Sequence, residues 1–331
     1  MNRWGLNRRR VIKILAALCG LVFLLSGGLL LLHIYDSRQT YQPNGQYSDP
    51  SVIRYNDKEY RLREGVETVL VLGLDHFAQD ADNSGYTNDQ LADFVFLLVV
   101  DNEKQTYSAI HLNRDTIAEM NILGVAGETV GQTQKQLALS YAYGNGRQIS
   151  CRNTADAVSK LLMDIPITTY LSVTMDAVSV VNDAVGGVEV EVLDDFTGID
   201  DTLVRGKTVT LTGEHALTYV RSRSGMKEAT NQRRMVRQKQ YLEGLIGAVH
   251  TAAEKNDQLF ADVSAQIHDQ LVANCTVAYL QTLFEKLTDY RYGDIYSLEG
   301  EQKVVNNLVE FYPDSQSVYD LVIPLMCDEI K

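Results

Sequence analysis

Hydrophobic residues along this chain form several short runs and one long run. Residues 67–74 and 93–101 are short apolar runs of the length and continuity expected for buried strands. A polar Asn-Glu-Lys-Gln turn separates the second run from a third at 107–112, and a tight turn between apolar runs is typical of a hairpin. The pattern therefore predicts three strands between residues 66 and 112, the last two of them paired.

Helical and extended patterns alternate in the rest of the chain. Such alternation is typical of an α/β or α+β sandwich in which helices cover the faces of a sheet. Asn153 is expected to cap the second predicted helix, and Gly186-Gly187 to end the third. The predicted elements are, in order, a helix at 132–143, a helix to about 163, a strand at 168–174, a helix at 175–185, a strand at 188–193 and a helix at about 232–250.

The long apolar run covers residues 11–34, and its 24 residues are enough to cross a bilayer as one tilted helix. Five basic residues precede or open the run, and no acidic residue occurs before Asp36. The positive-inside rule then places the N-terminus in the cytoplasm and everything after the span outside. A cleaved signal peptide is the alternative, but the run is longer than a usual signal core and lacks a small-x-small cleavage site.

These patterns divide the chain into four segments. Residues 35–65 are polar and tyrosine-rich, with prolines and a glycine, and are interpreted as a stalk. We therefore predict a cytoplasmic tail at 1–10, a transmembrane helix at 11–34, an extracellular stalk at 35–65 and a folded domain at 66–331.

Composition and charge narrow the classes of function. The 331 residues are 45% hydrophobic and 22% charged, which is a globular composition. The net charge is −13 although the N-terminal segment is basic, and a domain this acidic repels nucleic acid and anionic membranes at long range. An anionic ligand must therefore be held by a local cluster of basic side chains. Three cysteines lie outside the apolar run, and their spacing matches no zinc motif. They could form one disulfide, with one thiol left unpaired.

Charged residues occur at the ends of the predicted strands. Asp75 follows the first strand, Asp93 begins the second, and Arg114 follows the third. A hairpin would carry Asp93 and Arg114 to one edge of the sheet, where a metal ion and a phosphate could bind. The alternative is that these residues cap strands or form a solvated ion pair.

A second basic cluster lies further along the chain. Arg221 and Arg223 alternate on a segment expected to be extended, so their side chains would point the same way. Arg234 and Gln238 are four residues apart on a predicted helix and share a face. Arginine suits phosphate because its planar guanidinium binds two oxygens at once and keeps its charge when partly buried. The arginines could thus form one cationic pocket, or belong to a solvated loop and helix start.

These residues lie in sequence blocks that together resemble the LytR-CpsA-Psr family. The resemblance covers most of residues 66–250, with a weaker match at 311–314 and in the final helix. The blocks are Leu-Val-Leu-Gly-Leu-Asp at 70–75, Asp93, Asn-Arg-Asp-Thr at 113–116, Tyr-Ala-Tyr-Gly at 141–144, Val-Gly-Gly-Val-Glu-Val at 185–190, Gly-Glu-His-Ala-Leu-Thr-Tyr-Val-Arg-Ser-Arg at 213–223 and Arg-Met-Val-Arg-Gln at 234–238.

The resemblance implies an extracytoplasmic α/β/α sandwich with a central mixed sheet, anchored by one N-terminal helix. It implies a Mg²⁺-dependent enzyme that moves an anionic or capsular glycopolymer from an undecaprenyl pyrophosphate carrier to peptidoglycan. By residue, it implies that Asp75 and Asp93 hold Mg²⁺ and form the catalytic set with Arg114. The pyrophosphate-binding residues that it implies are Arg114, Arg221, Arg223, Arg234 and Gln238.

The resemblance also implies an apolar groove for the carrier lipid between the sheet and the helices. Its candidate lining residues are Val95, Leu97, Val99, Leu161 and Leu171. Each of them is also an ordinary core residue, so the sequence alone does not separate groove from core.

The sequence departs from the family pattern at several positions. The usual Arg-Ser-Asp before the second carboxylate is Leu-Ala-Asp at 91–93, so one phosphate-binding arginine is missing. The usual Pro-Arg-Asp is Asn-Arg-Asp at 113–115, and Asn231 stands where an acidic residue is expected. The loop at 76–90 also makes the spacing between Asp75 and Asp93 longer than usual.

These departures keep other functions open. One alternative is a non-catalytic polyprenyl-phosphate or cell-wall binding protein, and another is a polyprenyl-pyrophosphate hydrolase that uses water as acceptor. A membrane-anchored regulator would need a cytoplasmic nucleic-acid-binding domain, and only about ten residues precede the apolar run. The general base stays open among Asp75, Asp115 and Glu228, with His76, His111 and His215 as further candidates.

Overall fold

The computed structural model describes residues 52–77, 90–223, 225–226 and 229–330, in which strands and helices alternate. The strands are β1 (Val52–Tyr55), β2 (Lys58–Leu62), β3 (Val66–Leu74), β4 (Phe94–Asp101), β5 (Thr106–Leu112), β6 (Ile117–Leu123), β7 (Thr129–Gln136), β8 (Thr169–Thr174), β9 (Val188–Glu191), β10 (Thr208–Leu211), β11 (Leu271–Ala273), β12 (Arg291–Tyr296), β13 (Gly300–Val305), β14 (Leu308–Pro313) and β15 (Cys327–Glu329). The helices are α1 (Leu139–Ala142), α2 (Gln148–Leu161), α3 (Ala177–Ala184), α4 (Glu214–Arg221), α5 (Asn231–Ala253), α6 (Leu259–Ile267), α7 (Val277–Asp289) and α8 (Ser315–Met326).

A six-stranded mixed sheet lies at the centre, in the order β11-β8-β3-β4-β5-β12. β3, β4 and β5 are antiparallel neighbours, whereas β8 runs parallel to β3 and β12 parallel to β5. The three strands predicted between residues 66 and 112 are therefore confirmed, as is a mixed α/β fold with a central mixed sheet.

Alternating residues of the central strands face two different sets of helices. Leu70 and Leu97 belong to one apolar cluster, which also contains buried residues of α2 and α8. Val69 and Leu98 point the other way, into a cluster with Leu283 of α7. Because both faces of the sheet are covered, its strands are almost continuously apolar.

The helix predicted at 132–143 is wrong. β7 pairs antiparallel with β6, with Met120 opposite Thr133, and only the four residues of α1 are helical. The sequence of β7 mixes glutamine, threonine and lysine, and most of its residues are exposed. Pairing with β6 satisfies its backbone, so a tertiary contact overrides a weak helical preference.

The prediction that Asn153 caps a helix is also wrong. α2 begins at Gln148, so Asn153 is buried in its second turn. There its Nδ2 donates to the carbonyls of Ser140, at 2.8 Å, and Asn121, at 3.2 Å. This asparagine ties α2 to α1 and β6 instead of starting the helix.

Part of the predicted stalk belongs to the folded unit. β1 pairs with β2, and β2 pairs with β15 at the other end of the chain. Ile53, Tyr60 and Leu62 pack against the main apolar cluster. Within the described residues the folded unit therefore begins at the start of β1, ahead of the predicted boundary at Val66.

No helix among the described residues is both long enough and apolar enough to span a membrane. The predicted tail at 1–10, the transmembrane helix at 11–34 and the stalk residues before β1 lie outside the described residues. In the described part of the chain Cys151, Cys275 and Cys327 are all free, so the disulfide that the sequence allowed is not formed among them.

Candidate active site

Two carboxylates lie at one end of the antiparallel pair β3 and β4. Asp75 directly follows β3 and Asp93 directly precedes β4. Gly73 stands opposite Phe94 in the register, and the backbone N–H of Asp93 donates to the carbonyl of Gly73 at 2.9 Å. The sheet therefore brings both aspartates to the edge that the sequence predicts.

Arg114 reaches the same edge from the end of β5. Its guanidinium pairs directly with the carboxylate of Asp93. Arg114 Nε lies 3.5 Å from Asp115 Oδ1, yet this buried nitrogen makes no hydrogen bond within the described residues. A buried donor without a hydrogen bond leaves capacity for an anionic ligand.

Arg234 enters the cluster from the first turn of α5. Its Nη2 donates to the carbonyl of Asp93 at 3.2 Å and lies 3.5 Å from the carboxylate oxygen Oδ1 of the same residue. Thr230 caps this helix by accepting a hydrogen bond from the backbone of Arg233. The start of α5 thus lies beside Asp93, and a helix N-terminus favours negative charge.

Arg221 and Arg223 do not alternate on an extended segment, contrary to the sequence prediction. Arg221 is the last residue of α4, and its Nη2 lies 3.2 Å from Asp75 Oδ1. Arg223 follows two residues later, beyond the end of the helix. Both arginines nevertheless belong to the same site: Arg221 pairs with Asp75, and Arg223 lies close enough for its charge to add to burial in lowering the pKa of Arg114 and of Arg234.

The arginines are close enough to perturb one another. Burial, reinforced by the charges of Arg114 and Arg223, lowers the pKa of Arg234 to about 10. Burial also raises the pKa of Asp115, although the surrounding arginines oppose this shift. Mutual repulsion of this kind is relieved when an anion binds, so the cluster is suited to a ligand with several negative charges.

An apolar cavity adjoins the polar cluster. It has two lobes of about 370 and 320 Å³, which share Val71, Phe94, Val181, Leu242 and Leu245 and lie between the sheet and helices α3, α5 and α6. The second lobe is also lined by Gly73, Val220 and Gln238. The cavity therefore reaches the chain neighbours of Asp93 and Arg221 and, at Gly73, comes within two residues of Asp75.

The predicted groove residues are mostly on the wrong face of the sheet. Val95, Leu97 and Val99 are buried in the opposite cluster, against α2 and α8, and Leu161 packs there too. The alternate residues Phe94, Phe96 and Leu98 line the cavity, whereas Leu171 does so as predicted. Side chains alternate along a strand, so an error of one residue selects the wrong face.

His111 is buried between the cavity and the arginines. Its ring lies 5.0 Å from that of Phe94 and 6.1 Å from that of Phe96. Burial, and secondarily the charge of Arg234, lowers the pKa of His111 to about 3. The imidazole is therefore neutral in the folded protein at physiological pH.

The low pKa of His111 predicts a loss of stability in acid. The unfolded histidine takes up a proton below about pH 6.5 and the folded one only near pH 3, so its contribution is present above pH 6.5 and lost as the pH falls. Between pH 7 and pH 5 the free energy of unfolding should fall by about 2 kcal/mol more in the wild type than in His111→Phe, from the same linkage. Urea unfolding at the two pH values measures this difference, and equal losses in both proteins would contradict it.

Comparison with known proteins identifies the family. The sequence profile of the LytR_cpsA_psr family matches residues 34–322. The chain belongs to the LytR_cpsA_psr family.

Relatives of known name support this assignment. The chain is 26% identical to the polyisoprenyl-teichoic acid–peptidoglycan teichoic acid transferase TagV of Bacillus subtilis over 261 aligned residues. The aligned region covers 76% of this chain and 61% of TagV. The chain is 28% identical over 263 residues to TagU of Bacillus licheniformis, a transferase of the same description, covering 78% of this chain and 76% of TagU. The crystal structure of B. subtilis TagV shares the fold, with a TM-score of 0.58 and 22% identity over 80% of this chain and 97% of that one.

In this LytR_cpsA_psr domain, two buried residues of α5 hold the backbone at the end of α4, which carries Arg221. Gln238 is buried and donates to the carbonyl of Val220 at 3.2 Å, so it holds the end of α4. Arg237, whose role sequence reasoning missed, is almost fully buried and pairs with Asp194 while donating to the carbonyls of Tyr219, at 2.9 Å, and of Ser222. The only indication of this role in the sequence is that Arg237 lies three residues after Arg234, in the block at 234–238.

Proposed function

We propose that this protein transfers a glycopolymer from a polyprenyl pyrophosphate carrier to peptidoglycan. The observation that carries the proposal is the junction of the arginine cluster with the apolar cavity. A ligand that fills both must have a highly charged head and a hydrocarbon tail, which describes a lipid pyrophosphate. The teichoic acid transferase activity named for the relatives supports the same reaction class.

The arginines are the groups that recognise the pyrophosphate. Arg114, Arg221, Arg223 and Arg234 offer planar guanidinium donors from the ends of three different elements. Charge-assisted bonds of this kind are short and strong, and they gain strength where water is excluded. Because the rest of the chain is acidic, the attraction is confined to this site.

In the proposed reaction a sugar hydroxyl of peptidoglycan attacks the phosphorus that carries the polymer. A new oxygen–phosphorus bond forms, the bond to the bridging oxygen breaks, and polyprenyl phosphate leaves with the electron pair. The hydroxyl proton passes to a carboxylate, and we assign this role to Asp75 because its side chain is 45% exposed and an acceptor can reach it. Asp93 and Asp115 are more enclosed, and Glu228 lies outside the described residues.

The donor set also fits Mg²⁺. No cluster of three or more His, Cys, Asp or Glu side chains suited to a metal occurs in the described part of the chain. Mg²⁺ commonly takes one or two protein carboxylates and completes its shell with substrate phosphates and water. Asp75 and Asp93 would hold the ion, which would neutralise charge on the phosphoryl oxygens.

The remaining parts of the proposal follow from the N-terminal sequence. The apolar run at 11–34 would anchor the protein with its N-terminus in the cytoplasm and the described domain outside, where peptidoglycan is found. An anionic glycopolymer is the proposed donor because the relatives are named for teichoic acid, and a capsular glycopolymer is the alternative that the family resemblance implies.

The test is the fate of a radiolabelled polyprenyl pyrophosphate oligosaccharide. The full chain in detergent is incubated with this carrier, peptidoglycan fragments and Mg²⁺. Magnesium-dependent transfer of label to the glycan supports the proposal. Release of labelled phosphosugar without transfer would make the protein a hydrolase, and lipid binding without turnover would make it a binding protein.

Filling the cavity should impair long-chain carriers selectively. Val181 on α3 lines both lobes, so Val181→Trp should obstruct the passage between them. We expect the KM for a long-chain carrier to rise about tenfold, the effect of about 1.4 kcal/mol of overpacking. A carrier with one or two isoprene units should be unaffected, because it does not extend beyond the second lobe, which adjoins the site, into the first.

The matched control is Val204→Trp, which places the same side chain at a half-exposed valine on a surface turn. Steady-state transfer with both carrier lengths distinguishes the two variants. An equal rise in KM for short and long carriers in Val181→Trp would contradict a role of this cavity in lipid binding.

A further inference from the structure

Two asparagines meet at the base of the arginine cluster. Asn231 Nδ2 donates to Asn113 Oδ1 at 2.7 Å, and both side chains are buried. Asn113 directly precedes Arg114, and Asn231 begins the helix that carries Arg234. Both positions are departures from the family pattern, and the structure shows that the two departures are bonded to each other.

The direction of this hydrogen bond is fixed at both ends. Asn113 Oδ1 also accepts from the backbone N–H of Asp115 at 2.9 Å. Asn231 Oδ1 accepts from Arg234, at 2.7 Å from Nη2 and 3.2 Å from Nε. A backbone N–H and a guanidinium can only donate, so neither amide can be reversed without opposing two donors.

We propose that Asn113 and Asn231 are positioning residues, which form a directional amide bridge that sets the spacing of Arg114 and Arg234 for the pyrophosphate. This inference rests on the proposed function. The bridge requires a neutral donor at position 231, because Asn113 already presents an oxygen there. A carboxylate at 231 would place two acceptors against each other at about the present 2.7 Å.

The bridge also governs the charge that the site offers. A neutral amide binds the guanidinium of Arg234 without cancelling its charge. Among the described residues, the carboxylate that pairs with Arg234 is that of Asp93, at 3.5 Å, and Arg114 pairs with the same oxygen. Arg114 and Arg234 therefore share the single negative charge of Asp93, which leaves net positive charge at the site for the ligand.

A double-mutant cycle tests the bridge with inorganic pyrophosphate as the probe. The proteins are the full chain, Asn231→Asp, Asn113→Ala and the double variant. Asn231→Asp leaves the volume of the side chain almost unchanged. Asn113→Ala removes Oδ1 of Asn113, the oxygen that would oppose the new carboxylate. We expect Asn231→Asp to weaken pyrophosphate binding about thirtyfold when residue 113 is asparagine, and only about threefold when residue 113 is alanine. The ratio of these two effects is a coupling within the range for directly bonded residues.

Calorimetric titration gives the affinities, and urea unfolding of all four proteins shows whether they remain folded. A general loss of structure would lower the unfolding midpoint of each single variant and would not be rescued by the second substitution. If the effects of the two single substitutions on pyrophosphate affinity simply multiply in the double variant, the bridge is overturned. An Asn231→Asp protein that binds pyrophosphate like the wild type would overturn it as well.

The transfer assay separates this inference from the proposed function. Coupled pyrophosphate binding without polymer transfer by the wild type would overturn the transferase and leave the bridge intact. A wild-type protein that transfers polymer but binds pyrophosphate without coupling between positions 113 and 231 would overturn the bridge and leave the transferase intact.

Discussion

Replacing Arg114 with alanine is expected to lower kcat/KM for polymer transfer by about 10²–10³, the usual effect of removing one preorganised donor to a charged transition state. Arg114 pairs directly with the carboxylate of Asp93, and its Nε is buried without a hydrogen bond in the described residues. Arg114→Lys should not restore activity, because an ammonium group cannot contact Asp93 and two phosphate oxygens with the same fixed geometry.

The matched control for this prediction is Arg205→Ala, which removes an exposed arginine from the turn before β10. Initial rates with the labelled carrier, at several carrier concentrations, separate kcat from KM. Urea unfolding of each variant shows whether the fold is retained. An Arg114→Ala protein that is folded and keeps at least a third of the wild-type kcat/KM would remove Arg114 from the reaction.

Much of this site could be predicted because its residues lie at the ends of strongly apolar strands. The runs that end at Asp75 and begin after Asp93 are long enough to fix the strands, and a four-residue turn fixes their neighbour. Once the hairpin is assigned, Arg114 must lie near Asp93. Local sequence therefore determines which charged residues meet at this edge of the sheet.

The predictions that failed depend on contacts between distant parts of the chain. β7 is a strand only because β6 lies beside it, and Asn153 is buried only because α1 and β6 supply carbonyls. The face of β4 that lines the cavity is decided by where α5 packs. None of these contacts leaves a pattern within its own segment, so single-sequence reasoning chooses the locally preferred structure.

The largest expected effect on stability concerns Arg63, at the end of the predicted stalk. Arg63 is buried and pairs with Asp101 at 2.8 Å and Asp328 at 2.9 Å. It also donates to the carbonyl of Cys327 at 3.0 Å, just after α8. One side chain thus joins the first strands of the folded unit, the far end of β4 and the last residues of the chain.

Arg63→Ala is expected to lower the free energy of unfolding by about 3–5 kcal/mol, because it leaves the buried carboxylate of Asp101 without its main partner. Asp101→Asn in the same protein should recover part of this loss, since an amide costs less to bury than an unpaired charge. Arg61→Ala, which removes an exposed arginine from β2, two residues before Arg63, should change stability by no more than about 0.5 kcal/mol. Urea unfolding measures all three.

Arg63 lies at the opposite end of β4 from the active site, so its loss should not alter the arrangement of Asp93 and Arg114. The Arg63→Ala protein that remains folded at low temperature should therefore keep the wild-type kcat/KM. A fall in both stability and kcat/KM would mean that the two ends of β4 are coupled, and that the contact between the chain's ends helps to hold the strand that presents Asp93.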